Sequence, residues 1–295
     1  MEPASQRFSS TAVWPNMNDL ELTTRYIDVV GWRTRVLEVG EGRPLVLMHG
    51  SGGHLEAYLR NLRALSEHFR VIAYDFPGHG YTSLATEDLE LPTYVEHLLA
   101  LLDTLGIDKA SLDGESLGGW VAIKFAARHP ERVERIVLNT PGGTMARPEV
   151  MRRIRSLSQE AADDPTPERI RRRLEWLMAS PSSVTDELVD LRRGVYSRPG
   201  FARSMSHILC LQDPEIRRRN LITDDELAAV EAPALVLWTT HDPSGPAQAG
   251  KEMASKIRGA EFALIEDAGH WPQWEQTEKF DSLMLEFLGA VPVSA

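Results

Sequence analysis

Three side chains far apart in the chain could together perform nucleophilic catalysis: Ser116, Asp242 and His270. Ser116 lies in LDGESLGGWV (112–121), with the spacing Gly114-x-Ser116-x-Gly118. A serine hydroxyl attacks poorly until a base takes its proton. His270 in EDAGHWPQWE (266–275) is the candidate base. Asp242 in ALVLWTTHDPSGP (234–246) is the candidate acid that holds the imidazole in one tautomer. A tetrahedral oxyanion needs two backbone N–H donors. Leu117, directly after the serine, is one; Ser51 in HGSGG (49–53) is the expected second, with Gly52 the alternative.

These residues need elements to bring them together. KASLDG (109–114) reads as a strand and SLGGWVAIKFAARHP (116–130) as a helix, so Ser116 falls on a strand-to-helix turn. Such a turn is too tight for neighbouring Cβ atoms, which accounts for the flanking glycines, and it lifts Oγ out of the sheet. Further strands are expected at 23–30, 34–40, 44–50, 70–75, 135–140, 234–240 and 261–267. Several are nearly continuous apolar runs, as in a parallel sheet covered on both faces. Apolar residues at i, i+3, i+4 and i+7 predict helices over 55–69 and 91–107, and EKFDSLMLEFLGAV (278–291) predicts a closing one. Asp242 then follows the penultimate strand and His270 the last. The chain order Ser, Asp, His is that of α/β-hydrolases and not of the serine-protease folds.

The expected class is therefore α/β, a mostly parallel eight-stranded sheet flanked by helices. Between Thr140 and Ala234 no convincing strand occurs, and a structureless loop of that length is implausible in a compact domain. We read 145–225 as an inserted helical cap, 21–144 and 226–295 as the core, and 1–20 as an N-terminal arm. Arginines crowd the cap in MRRIRS, ERIRRRLEW, LRR and EIRRRN; they read either as solvated helix faces or as a cationic lid over an anionic substrate.

A length of 295 residues with 42% hydrophobic and 25% charged residues suits a soluble globular protein. A net charge of −11 argues against non-specific nucleic-acid binding. The single cysteine, Cys210, excludes an intrachain disulfide and a cysteine-rich metal site, and reads as packing. Residues 1–20 lack an apolar core with a basic start, and no apolar run is long enough to span a bilayer, so no membrane association and a cytoplasmic location are expected. His49 and His79 read as turn residues, Asp75 as a turn cap and His241 as structural.

HGSGG, FPGHGYTS, GESLGG, HDPSGP and GHWPQWE together resemble the α/β-hydrolase superfamily over 22–290. GHWPQWE is similar to the meta-cleavage product hydrolases, which cleave carbon–carbon bonds in 2-hydroxy-6-oxo-hexa-2,4-dienoates from aromatic catabolism. The resemblance implies a cofactor-free enzyme with no metal and a small carboxylate substrate, and a homodimer as an assembly common in that family. It also implies Arg192, in VTDELVDLRR (184–193), as the carboxylate partner and Trp271 as an aromatic packed on the dienoate. Gly50 and Glu115 complete the expected substrate-binding set. The chain departs from the family pattern at Glu115 and Ala57, where asparagines are expected, and in a shorter oxyanion loop. A carboxylesterase or lactonase with the same triad is the alternative, and a non-catalytic receptor on this fold is a third reading.

Overall fold

The computed structural model describes Met17 and residues 20–290. Most of the expected N-terminal arm lies outside the described residues. The strands are β1 (Thr23–Val29), β2 (Trp32–Val39), β3 (Arg43–Met48), β4 (Phe69–Tyr74), β5 (Ala110–Glu115), β6 (Val133–Asn139), β7 (Ala234–Thr239) and β8 (Glu261–Ile265). They form one 8-stranded sheet in the order β1-β2-β4-β3-β5-β6-β7-β8. β1 and β2 form an antiparallel hairpin and β2 runs antiparallel to β4; the pairs from β4 through β8 are parallel.

Every residue of β7 is buried, which is why ALVLWT reads as an apolar run rather than an alternating one; β5 is buried throughout as well, although it carries Ser111, Asp113 and Glu115. Helices Leu91–Thr104, Leu117–Arg128, Ala247–Lys256 and Thr277–Leu288 belong to this core. In the first of them Pro92 sits in the opening turn, where its missing N–H costs nothing.

The single helix expected over 55–69 is not formed. Leu55–Tyr58 makes a 3-10 turn and Leu62–Ser66 a separate short helix. Tertiary contacts override the local periodicity here. Glu56 is drawn into a buried ion pair with Arg35 at 2.7 Å, and Leu55 N donates to Asp75 Oδ1 at 2.8 Å. Asn61 donates from Nδ2 to Gln273 O (3.1 Å) and Asp281 Oδ1 (2.8 Å). Asp75 accordingly does more than cap a turn: it accepts from Tyr81 N at 2.7 Å and from Arg35 Nε at 2.6 Å.

Between β6 and β7 the chain is helical, with helices Pro148–Asp163, Pro167–Glu175, Asp186–Tyr196, Phe201–Ile208, Pro214–Asn220 and Asp224–Ala228. The two readings of its arginines divide residue by residue. Arg152, Arg153, Arg155, Arg172, Arg193, Arg218 and Arg219 are exposed. Arg173 and Arg192 are 4% and 1% exposed. Each lies in phase with its helix's buried residues: Ile170, Arg173 and Leu174 on one, Leu188, Val189, Arg192, Val195 and Tyr196 on the other.

Among the described residues no helix is long and apolar enough to cross a membrane. Cys210 is buried; its Sγ donates to Leu89 O, and burial pushes the thiol up to about 12.

Candidate active site

Ser116 occupies the turn between β5 and the helix Leu117–Arg128 at φ 54°, ψ −107°. A side chain rarely adopts this conformation, and the cost is borne only where surroundings over-determine it. Here they do. Ser116 N donates to Asn139 O at 3.0 Å, and Ser116 O accepts from Trp120 N (3.1 Å) and Gly142 N (2.9 Å). A Cβ on Gly114 would stand 2.3 Å from Gly118 C, and one on Gly118 would stand 2.2 Å from Met48 O. Only glycine lets strand, turn and helix approach this closely.

Leu117 N opens a helix and so has no intrahelical acceptor. Ser51 and Leu117 both line a cavity that also contains Ser116, His270, Trp271, Arg192, Gly50 and Glu115. Gly52 does not line it. At φ +68° its carbonyl is turned toward the cap, where it accepts from Tyr196 OH at 2.9 Å. Of the two oxyanion alternatives, Ser51 therefore borders the space where a substrate would sit.

His270 Nδ1 lies 2.9 Å from Asp242 Oδ1, which also accepts from Ser244 N at 2.8 Å. Both side chains are almost wholly buried. The imidazole is set in place by its backbone. His270 N donates to Leu177 O at 2.6 Å, Thr140 Oγ1 donates to His270 O at 3.0 Å, and Thr239 Oγ1 donates to Gly269 O at 2.7 Å. The loop after β8 is thus tied to the ends of β6 and β7 and to the cap.

Nε2 of His270 stands 3.4 Å from Glu115 Oε1. Glu115, next to the serine, is 1% exposed and its Oε2 has no partner. Burial is the main cause of its raised pKa, opposed in part by His270, Arg192 and Arg173. Its carboxyl also explains Gly50, where a Cβ would come 2.5 Å from Glu115 Oε2. Instead of pointing away from the substrate space, Glu115 forms part of its wall.

Arg192 Nε and Nη2 are buried and unpartnered, and its guanidinium lies 5.2 Å from the Trp271 ring centre and 5.7 Å from that of Tyr196. The Nε/Nη2 edge is the one that holds a carboxylate side-on through two hydrogen bonds. Leaving it unpaired and buried costs several kcal/mol, roughly, unless a ligand anion meets it.

The sequence reading missed Arg173 and Arg217, which line the same cavity. For Arg173 a signal was present: it shares the apolar helical phase of Ile170, Leu174 and Leu177. Also missed was what GHWPQWE does. Glu275 accepts from Gly269 N (2.7 Å), Ala179 N (3.0 Å), Ser180 N (3.1 Å) and Ser183 Oγ (2.9 Å). Gln273 Oε1 accepts from Asn139 Nδ2 at 2.9 Å, and Trp274 Nε1 donates to Ser183 O at 2.9 Å. The motif clamps the cap segment 177–183 onto the histidine loop.

The expected bystanders stay outside this constellation. His49 accepts from Phe76 N at 3.1 Å through Nε2 and places Nδ1 2.8 Å from Gly50 O; burial lowers its pKa to about 3. His79 is likewise buried and lowered to about 3. His241 is exposed. No group of three or more His, Cys, Asp or Glu that could hold a metal occurs among the described residues.

A model of the alpha/beta hydrolase fold matches residues 43–277. The chain is 33% identical over 284 residues to a 2-hydroxy-6-oxononadienedioate/2-hydroxy-6-oxononatrienedioate hydrolase of Paraburkholderia phymatum, covering 90% of this chain and 96% of that one. It is 32% identical over 282 residues to a 2-hydroxymuconate semialdehyde hydrolase of a Pseudomonas species, covering 92% and 95%. Among solved structures, a meta-cleavage product hydrolase from Pseudomonas fluorescens superposes with a TM-score of 0.79 at 30% identity, covering 90% of this chain and 97% of that one.

Proposed function

This chain belongs to the α/β-hydrolase fold family, and from that premise we propose that it hydrolyses a carbon–carbon bond in a 2-hydroxy-6-oxo-hexa-2,4-dienoate-type ring-fission product. Ser116, His270 and Asp242 are the reacting set, and no cofactor is required. One observation carries the reading: the unpartnered Nε/Nη2 edge of buried Arg192 shares a cavity with Ser116 and His270.

The substrate carboxylate pairs with Arg192, and the planar dienoate packs on Trp271. Protonation of the dienol at carbon gives a keto form, which makes a carbon leaving group feasible. Asp242, fixed beside Nδ1, keeps that nitrogen protonated, so Nε2 of His270 is the free base. It takes the proton of Ser116 Oγ, or of a water that Ser116 positions, as oxygen attacks the distal carbonyl. Ser51 N and Leu117 N stabilise the resulting oxyanion. Collapse of the tetrahedral intermediate breaks the carbon–carbon bond, and the imidazolium returns its proton to the departing dienolate. Where Ser116 has been acylated, a water deprotonated by His270 then frees the second acid. No hydrogen bond joins Ser116 Oγ to His270 in this structure, where the Nε2 edge faces Glu115 instead. Catalytic hydrogen bonds are commonly open before substrate binds.

An ester or lactone would be cleaved by the same three residues. Glu115 favours that alternative, since an ionised carboxylate in the wall would repel an anionic substrate. The positive charges of Arg192 and Arg173 beside it offset part of that repulsion. The test is a panel of ring-fission dienoates beside p-nitrophenyl esters, compared by kcat/KM through loss of the yellow dienolate absorbance. Decay of at least one dienoate, abolished by Ser116→Ala, is expected. Ester turnover with no dienoate decay would reject the carbon–carbon reading.

A further inference from the structure

Arg173 differs from the arginines beside it on the helix Pro167–Glu175. Arg171 and Arg172 form ion pairs at the surface with Asp186 and Glu160. Arg173 is buried, and among the described residues it has no Asp or Glu oxygen in ion-pair contact. Its Nε donates to Ser158 Oγ at 2.8 Å, which fixes one edge of the guanidinium. The Trp176 ring centre lies 5.5 Å away, and Nη1 is buried without a partner. Burial lowers its pKa to about 10, so the group is still cationic at neutral pH. Arg173 lines the same cavity as Ser116, His270 and Arg192. Arg173 and Arg192 act on one another and each acts on Glu115, so both guanidinium groups serve one part of that cavity. A substrate carboxylate on the open edge of Arg192 leaves Nη1 of Arg173 without an anion.

Cleavage itself supplies a second negative charge. In the keto form, the carbon next to the carboxylate, C2, is a carbonyl conjugated with the C3–C4 double bond. As the oxyanion collapses to an acyl group, the electron pair of the C5–C6 bond moves through that double bond onto the C2 oxygen. The result is the dienolate, which then takes the proton of the His270 imidazolium. The charge on the C2 oxygen is absent from the bound keto substrate and complete in the departing product. A fixed cationic donor at that oxygen therefore stabilises the transition state more than the ground state. We propose that Arg173 is a further catalytic residue, donating from Nη1 to the C2 oxygen while Arg192 holds the adjacent carboxylate. The inference rests on the dienoate reading above and supplies what that reading lacks, a group that stabilises the carbon leaving group.

The test measures kcat and KM for a ring-fission dienoate with the wild type, Arg173→Met and Arg173→Lys. Loss of one donor to a transition-state oxyanion lowers kcat by about 10²–10³, so Arg173→Met is expected to lose about 10²-fold in kcat with a much smaller change in KM. Arg173→Lys should recover part of that loss. Turnover of p-nitrophenyl acetate, whose leaving group has no 2-oxo acid, should fall far less. Circular dichroism checks folding; Ser158→Ala, which removes only the acceptor of Nε, should show the same selective loss at smaller size and decides the matter if Arg173→Met does not fold. A second readout needs no carbon–carbon cleavage. Oxalate carries anionic oxygens on adjacent carbons, like a carboxylate beside an enolate, and oxamate has the same shape with one charge fewer. In Ser116→Ala, oxalate is expected to bind about tenfold or more tightly than oxamate by calorimetry, and the added Arg173→Met or Ser158→Ala change to remove or reduce the difference. Equal losses on dienoate and ester overturn the proposal, as does an oxalate preference that is absent or survives both changes. If no dienoate reacts while the oxalate preference still depends on Arg173, the carbon–carbon reading falls, the catalytic role falls with it, and only a dianion subsite remains.

Discussion

Glu115 Oε1 stands 3.4 Å from Nε2 of His270, while Asp242 Oδ1 stands 2.9 Å from Nδ1, so the imidazole is held between two carboxyl groups. Burial pulls the His270 pKa down; the charge and hydrogen bond of Asp242, followed by the charge of Glu115, outweigh that and raise it overall. The base form is therefore lost at a higher pH than for a free histidine. Glu115→Gln removes one of the raising charges, so the acid limb of the kcat/KM profile should move to lower pH. A limb that stays in place would show that Glu115 carries no charge beside His270 in the working enzyme.

Arg192→Met should weaken dienoate turnover through binding. Truncating one partner of a buried, hydrogen-bonded charge pair costs about 2–5 kcal/mol, so kcat/KM for a dienoate should fall about 10²-fold or more. For p-nitrophenyl acetate, which has no carboxylate to place, the fall should be much smaller. Equal losses on both substrates would mean that Arg192 supports the fold and not the anion.

Asp113 should make the protein less stable as pH rises. It is fully buried on β5 beside the Tyr58 hydroxyl, and burial, with a further contribution from the charge of Glu115, outweighs the lowering effect of Tyr58 and raises its pKa to about 8. In the unfolded chain an aspartate titrates near 3.9, roughly. Between those values the native state holds a proton that the unfolded state releases, so stability declines with pH across that window. Asp113→Asn, neutral at every pH, should gain on the wild type in Tm from pH 5 to pH 8. Scanning calorimetry at the two pH values reads the difference, and a constant gap would contradict the assignment.

Glu275→Ala should loosen the cap from the histidine loop. It leaves Gly269 N, Ala179 N and Ser180 N without their acceptor. Hydrogen bonds to a charged group contribute about 1.5–3 kcal/mol each, so a loss of about 2 kcal/mol or more is expected in urea unfolding. Since His270 N is bonded to Leu177 O in the same cap segment, kcat should fall as well. An unfolding midpoint identical to the wild type would dismiss the clamp.

The sequence by itself determined the sheet and where along it Ser116, Asp242 and His270 emerge. Apolar runs mark buried strands, and a glycine-flanked serine can satisfy only a tight turn. Residues just past the penultimate and last strands of a parallel sheet must also emerge at the same edge as that turn. These are local constraints of sterics and pattern, and Ser116, Asp242 and His270 follow from them.

What only the tertiary structure decided depends on contacts between residues distant in the chain. The periodic stretch 55–69 breaks because Arg35, Asp75 and Gln273 compete for its polar groups. Gly52 turns from the cavity toward Tyr196, and Glu115 turns inward toward His270. Arg173 and Arg217 face the cavity while neighbouring arginines of similar composition face water. A charged residue gives no sign in its own identity of which way it points; helix phase narrows the choice, and packing of the cap on the sheet settles it.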